Sequence, residues 1–131
     1  MNSLEKSLEE IAFFIIKPDG LKKNEHEYAK KRIIQERLNI LQERNIFFSE
    51  EQAKQFYYDK KDKKFDELIN YITSGQCLLM IVKGKDCYSK LDKLKNEMRK
   101  LFSHGEIETG THATDSYEDF LRESKILGVN F

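Results

Sequence analysis

Two uninterrupted apolar runs stand out from a chain that is otherwise dense in charge. Ile11 to Ile16 (IAFFII) precedes a Lys-Pro-Asp-Gly turn, and Cys77 to Val82 (CLLMIV) follows Ser74-Gly75. Runs of this length without polar alternation predict strands buried on both faces. Gly84 is read as closing the second strand. Pro18 and Gly20, second and fourth in Lys17–Gly20, suit a type I turn. Leu38, Ile40 and Leu41, then Ile46 to Phe48, predict a more exposed strand region.

Helical spacing fills the rest. A charged helix is predicted over Glu25 to Arg37, with Tyr28, Ile33 and Ile34 on one side. Ser49-Glu50-Glu51-Gln52 fits a capping box, so a helix should open there and carry Ala53, Phe56 and Tyr57. Lys64 to Thr73 places Phe65, Leu68, Ile69 and Ile72 at helical intervals. Tyr88 to Phe102 carries Leu91, Leu94, Met98, Leu101 and Phe102 as its stripe. Thr114 to Ser116 opens a last helix bearing Tyr117, Phe120 and Leu121. A further strand candidate lies near Ile107.

This order is compatible with an α/β (α+β) fold, a ferredoxin-like split βαβ sandwich with an antiparallel sheet and one helical face. The 131 residues fit one domain. Residues 1–10 are expected to be flexible or peripheral.

Charge narrows the partners. Lysine plus arginine is 23 and aspartate plus glutamate is 23, so no global basic field supports nucleic-acid binding. The densest basic patch is Lys60, Lys61, Lys63 and Lys64, which reads either as a solvated face or as an attraction for nucleotide. The apolar runs are too short to span a membrane. Cys77 and Cys87 form no CxxC pair, and Cys77 reads as a buried, reduced core residue. Met1 to Glu10 has no signal-peptide core, so the expected compartment is the cytoplasm. His26, His104 and His112 lack metal-ligand spacing.

His112 is the centre of the candidate chemistry. It precedes Thr114-Asp115-Ser116, all good N-cap residues, and Glu118 lies three beyond Asp115 as a cap-like pair. His112 should therefore stand at the mouth of a helix N-terminus, where free N–H groups and the helix dipole favour phosphate. A neutral imidazole is a competent nucleophile when its other nitrogen is fixed, and Glu123 in the same helix could fix it. Spacing alone better describes a loop histidine before an ordinary capped helix. Lys17, at the end of a buried strand, is either a ligand-facing cation or merely the start of a turn.

Four segments resemble the nucleoside diphosphate kinase family. FIIKPDG (Phe14 to Gly20) is similar to its opening strand and turn. Phe56-Tyr57 is similar to its FY or HY pair, YITSG (Tyr71 to Gly75) with CLLMIVKG to its helix end and following strand, and HATDS (His112 to Ser116) with Glu118 and Glu123 to its histidine box. The resemblance implies Mg²⁺-dependent, ping-pong transfer of a γ-phosphoryl group from a nucleoside triphosphate to a nucleoside diphosphate. It implies His112 as the phosphorylated residue and Glu123 as its orienter. Lys17 and Tyr57 would contact phosphate or support the histidine, and Thr114 would support the site. Phe65, Leu68 and Ala113 would lie in the nucleotide-binding region, with Mg²⁺ held mainly by the nucleotide's phosphates.

The chain departs from the family between Gly84 and His112. That interval is shorter than the family's, and Arg99 is its only arginine, so Arg99 is the candidate phosphate clamp. Thr109 replaces the family's asparagine and Gln76 its proline. The loop that builds trimer contacts is largely missing from Phe102 to Thr111. The exposed strand region Leu38 to Phe48 then predicts a homodimer rather than a hexamer. The alternative function is a catalytically weak or inactive nucleotide-binding or regulatory module of the same fold.

Overall fold

The computed structural model describes residues 9–58, 64–102 and 110–129. The N-terminal residues 1–8, most of the lysine run, His104, the Ile107 strand candidate and Thr109 lie outside the described residues. Glu9 and Glu10 are not peripheral, because they open the first strand.

Four strands form one sheet: β1 (Glu9–Ile16), β2 (Asn39–Ile46), β3 (Cys77–Lys85) and β4 (Thr111–Ala113). Their spatial order is β2-β3-β1-β4. Every neighbouring pair is antiparallel. The two apolar runs are thus the two central strands. Phe13, Phe14, Ile15 and Ile16 of β1 and Leu79, Met80 and Ile81 of β3 are each no more than 1 % exposed. Burying side chains of this size contributes about 1.5–3 kcal/mol apiece.

Six helices are described: α1 (Pro18–Lys22), α2 (Glu25–Gln35), α3 (Glu50–Phe56), α4 (Phe65–Ile72), α5 (Cys87–Phe102) and α6 (Tyr117–Leu127). They cover both faces of the sheet, not one. Ala12, Phe14, Ile16, Leu78, Met80 and Val82 face α2 and α5, packing on Ala29, Ile33, Leu91, Leu94 and Met98. Phe13, Ile15, Cys77, Leu79 and Ile81 face α3, α4 and α6, packing on Phe56, Ile69, Ile72 and Phe120. Strict alternation of two apolar sets along β1 and β3 requires this second layer.

Other boundaries differ from the pattern for local reasons. Lys17–Gly20 is not an isolated turn: Pro18 takes the first position of α1, where its missing N–H costs nothing. Gly84 does not close β3, which pairs with β1 as far as Lys85. The second strand is continuous from Asn39 to Ile46, with a register shift between Ile40 and Gln42 that leaves Leu41 as the extra residue. Ile34, Leu41, Phe47, Leu101, Tyr117 and Leu121 are exposed, so their stripes are narrower than the spacing predicts. Ser49 and Gln52 do form the capping box. The N-cap of α6 is Ser116, whose hydroxyl accepts from the Asp119 amide, so Asp115 and Glu118 form no cap pair.

Candidate active site

His112 lies on β4, not in a loop. It sits opposite Ile15 on the edge of the sheet, so its side chain shares the face of α3, α4 and α6. The three-residue strand is fixed from both ends. The Lys17 amide donates to Gly110 O at 2.8 Å, and the Thr114 amide donates to Phe13 O at 3.0 Å. Gly20 permits the first contact: a Cβ there would lie 2.8 Å from Gly110 O.

The ring of His112 has one nitrogen engaged. Nε2 lies 2.9 Å from Glu123 Oε2. The other carboxylate oxygen, Oε1, accepts from the Thr114 hydroxyl at 2.7 Å. That hydroxyl also accepts from the Phe13 amide at 2.9 Å. Glu123 is 2 % exposed and the His112 side chain 20 %, so the carboxylate is sealed while the ring still reaches solvent. Phe56 and Tyr57 wall the ring, with centroids 4.8 and 6.2 Å away.

Lys17 is buried beside this group, its Nζ 5.6 Å from the Tyr57 ring centre and 5.8 Å from that of Tyr71. Burial foremost, and then the Arg99 guanidinium, lower its ammonium from an ordinary 10.5 to about 7, with Asp19 acting the other way. Burial, helped by Cys77 and Glu123, pushes the Tyr57 phenol up, against the pull of Arg99. Tyr57 Oη and Arg99 Nε are buried and take no hydrogen bond among the described residues. Lys17, Arg99 and Tyr57 therefore gather as an electropositive cluster near His112.

The remaining sequence candidates are placed less centrally. Phe65 lines an open groove of about 820 Å³ between α3 and α4, together with Lys54 and Tyr58. Leu68 is half-buried against the core. The Ala113 side chain packs into the core on the α2 and α5 face, away from His112, so only its backbone is placed to serve a ligand. Tyr71, Phe56 and Arg122 also belong to the site; Phe56 and Tyr71 lie in segments picked out in sequence, though with no role given them, and Arg122 carries no signature there. Tyr71 donates to Asp19 and accepts from the Gly110 amide at 3.3 Å, joining α1 to the start of β4. Among the described residues, no three His, Cys, Asp or Glu side chains gather as a cation site. No described helix is long and apolar enough to cross a membrane.

Fold and site together define a ferredoxin-like α/β protein with an oriented histidine at a sheet edge. A family model described as nucleoside diphosphate kinase matches residues 10–128. The nucleoside diphosphate kinase of Ignicoccus hospitalis is 30 % identical over 125 residues, covering 87 % of this chain and 85 % of that protein. That of Saccharolobus solfataricus is 28 % identical, covering 87 % and 91 %. The solved structure of the Aquifex aeolicus nucleoside diphosphate kinase superposes with a TM-score of 0.81 at 25 % identity, covering 90 % of this chain and 94 % of that one. A Halobacterium salinarum nucleoside diphosphate kinase, solved in complex with CDP, shares the fold with a TM-score of 0.78 at 23 % identity, covering 90 % and 86 %. The chain belongs to the nucleoside diphosphate kinase family, and so to the phosphotransferase enzymes.

Proposed function

We propose that this chain transfers the γ-phosphoryl group of a nucleoside triphosphate to a nucleoside diphosphate through a phosphohistidine at His112. One observation carries the reading: His112 Nε2 is held 2.9 Å from a buried carboxylate. A proton kept on Nε2 by Glu123 leaves the lone pair on Nδ1 to attack. The Nδ1–phosphorus bond forms as the bond from the γ-phosphorus to the bridging oxygen breaks. The nucleoside diphosphate leaves, and a second nucleoside diphosphate takes the group by the reverse step. Glu123 stabilises the imidazolium while it carries charge.

Lys17, Arg99 and Tyr57 supply the positive and donating groups for the phosphates. Lys17 is poised between its charged and neutral forms, and an arriving phosphate favours the charged one. Lacking a carboxylate cluster of its own among the described residues, the chain would take Mg²⁺ as part of the nucleotide substrate. The groove beside Phe65 and Tyr58 has aromatic surface for a base. Binding of the CDP of the Halobacterium salinarum complex is consistent with a nucleotide ligand here. Reduced, buried Cys77 and Cys87 accord with a cytoplasmic setting. The exposed edge of β2 supports a homodimer.

Incubation with Mg²⁺ and γ-labelled ATP should give an acid-labile, base-stable phosphoprotein, and His112→Ala should take no label. Equal labelling of that variant removes His112 from the reaction. The presence of only one arginine between Gly84 and His112 favours a second reading, a nucleotide-binding module with little turnover. Binding of Mg·ADP without labelling of the wild type would select it.

A further inference from the structure

We propose that Arg122 is a positioning residue for the His112–Glu123 pair: it bolts the C-terminal end of α3 to α6 and sets the charge balance on Glu123. The inference rests on the phosphohistidine reading but is tested separately from it.

Arg122 Nη1 donates to the carbonyls of Gln55 at 3.2 Å and Phe56 at 3.4 Å. These are among the last carbonyls of α3, which helix geometry leaves without partners. The guanidinium carbon also lies 4.7 Å from the centre of the Tyr58 ring. At the other end of α3, Gln52 Nε2 donates to Ile126 O at 3.2 Å. The two cross-links hold α3 antiparallel to α6 and fix where its C-terminal aromatics stand. Phe56 and Tyr57 are the walls of His112.

The second role is electrostatic. Arg122 Nη2 lies 3.9 Å from Glu123 Oε2, the oxygen that receives His112 Nε2. A guanidinium there weakens the carboxylate's hold on a charged imidazole. It thereby favours return of the phosphoryl group over a trapped, over-stabilised intermediate. Asp119 Oδ1, 3.7 Å from Arg122 Nε, keeps the guanidinium directed. The other groups facing the histidine are Thr114 beyond Glu123, Tyr57 from α3, Lys17 from the end of β1 with Asp19 beside it, and Arg99 from α5.

The test compares wild type, Arg122→Ala and Arg122→Lys by kinetics and by NMR titration of the His112 ring. Arg122→Ala should lower kcat by roughly tenfold or more while KM for nucleotide changes less than about threefold, because the Arg122 guanidinium is engaged by α3 carbonyls, Asp119 and Glu123. Loss of a nearby cation should move the acid limb of the rate profile, and with it the ring titration, to higher pH. Arg122→Lys should restore the titration and part of kcat. The NMR readout needs no turnover, so it tests Arg122 even if the wild type takes no label. A ring titration identical in wild type and Arg122→Ala, or a loss of rate that follows only the unfolded fraction, would overturn the proposal.

Discussion

Glu123 makes two commitments, one oxygen to His112 and one to Thr114, and the second is what makes the first directional. Lys17 is a buried cation, its charged form disfavoured by burial and by Arg99 and favoured by Asp19. Its depressed value gives a sign for pH. In the folded state it is largely charged below about pH 7, where burial destabilises the fold, whereas the unfolded chain keeps the proton up to 10.5. The unfolded state therefore binds more protons between those values, and stability should rise with pH from about 7. Urea unfolding at pH 7, 8 and 9 should show this rise in the wild type and a flatter profile in Lys17→Met. Cys77 and Cys87, both pushed up to about 12 by burial, act the other way at higher pH, so the lower window is the informative one. Arg99→Ala should weaken nucleotide binding by about 1–3 kcal/mol, the range for a charge-assisted contact, as read by calorimetry. The residues legible in sequence were those with chemistry in a short motif: His112, Thr114, Glu123 and Lys17. Tyr71 was picked out only within its segment, with no role, and Arg122 not at all, because they act on groups 52 and 67 positions away, Arg122 through backbone carbonyls that have no sequence signal.

At the scale of elements, the apolar runs of β1 and β3 declared themselves because both faces are buried. The capping box at Ser49 did so for its fixed spacing. β4 had no such signal. Three residues are too few to show alternation, and Thr111 and His112 are polar, so the histidine was expected at a helix mouth. Its place is set instead by Gly20, which lets the chain at Gly110 come against α1. Gly20→Ala should push that contact apart, costing about 1–3 kcal/mol as other overpacking changes do. The measurement is urea unfolding paired with the labelling rate. The rate should fall further than stability alone explains, since the displaced segment carries His112.

For the whole molecule, the sheet order puts the site on one edge, at β4, and leaves the other edge, β2, to solvent. Leu41 is 53 % exposed, Phe47 68 % and Ile34, on the neighbouring α2, 65 %. The bulge at Leu41 and the charges of Glu43 and Arg44 restrict open-ended pairing along that edge, whereas a two-fold partner could still cover its apolar residues. Light scattering at micromolar concentration should give a dimer mass, and Leu41→Asp with Phe47→Asp should give a monomer that still takes label. A hexamer would show that the shortened 102–111 segment suffices for trimer contacts.

The brevity of β4 has a consequence for how the protein ages. His112 is held by a strand of three residues, tied at its ends through Gly110 and Thr114. So few bonds hold this segment that its amides should open to solvent by a local fluctuation, at a lower free energy than exposes β1 and β3. Deuterium should enter this segment before it enters the two central strands. Unzipping of Gly110 to Thr114 at this one margin would disarm the site while the bulk of the domain stays folded around it.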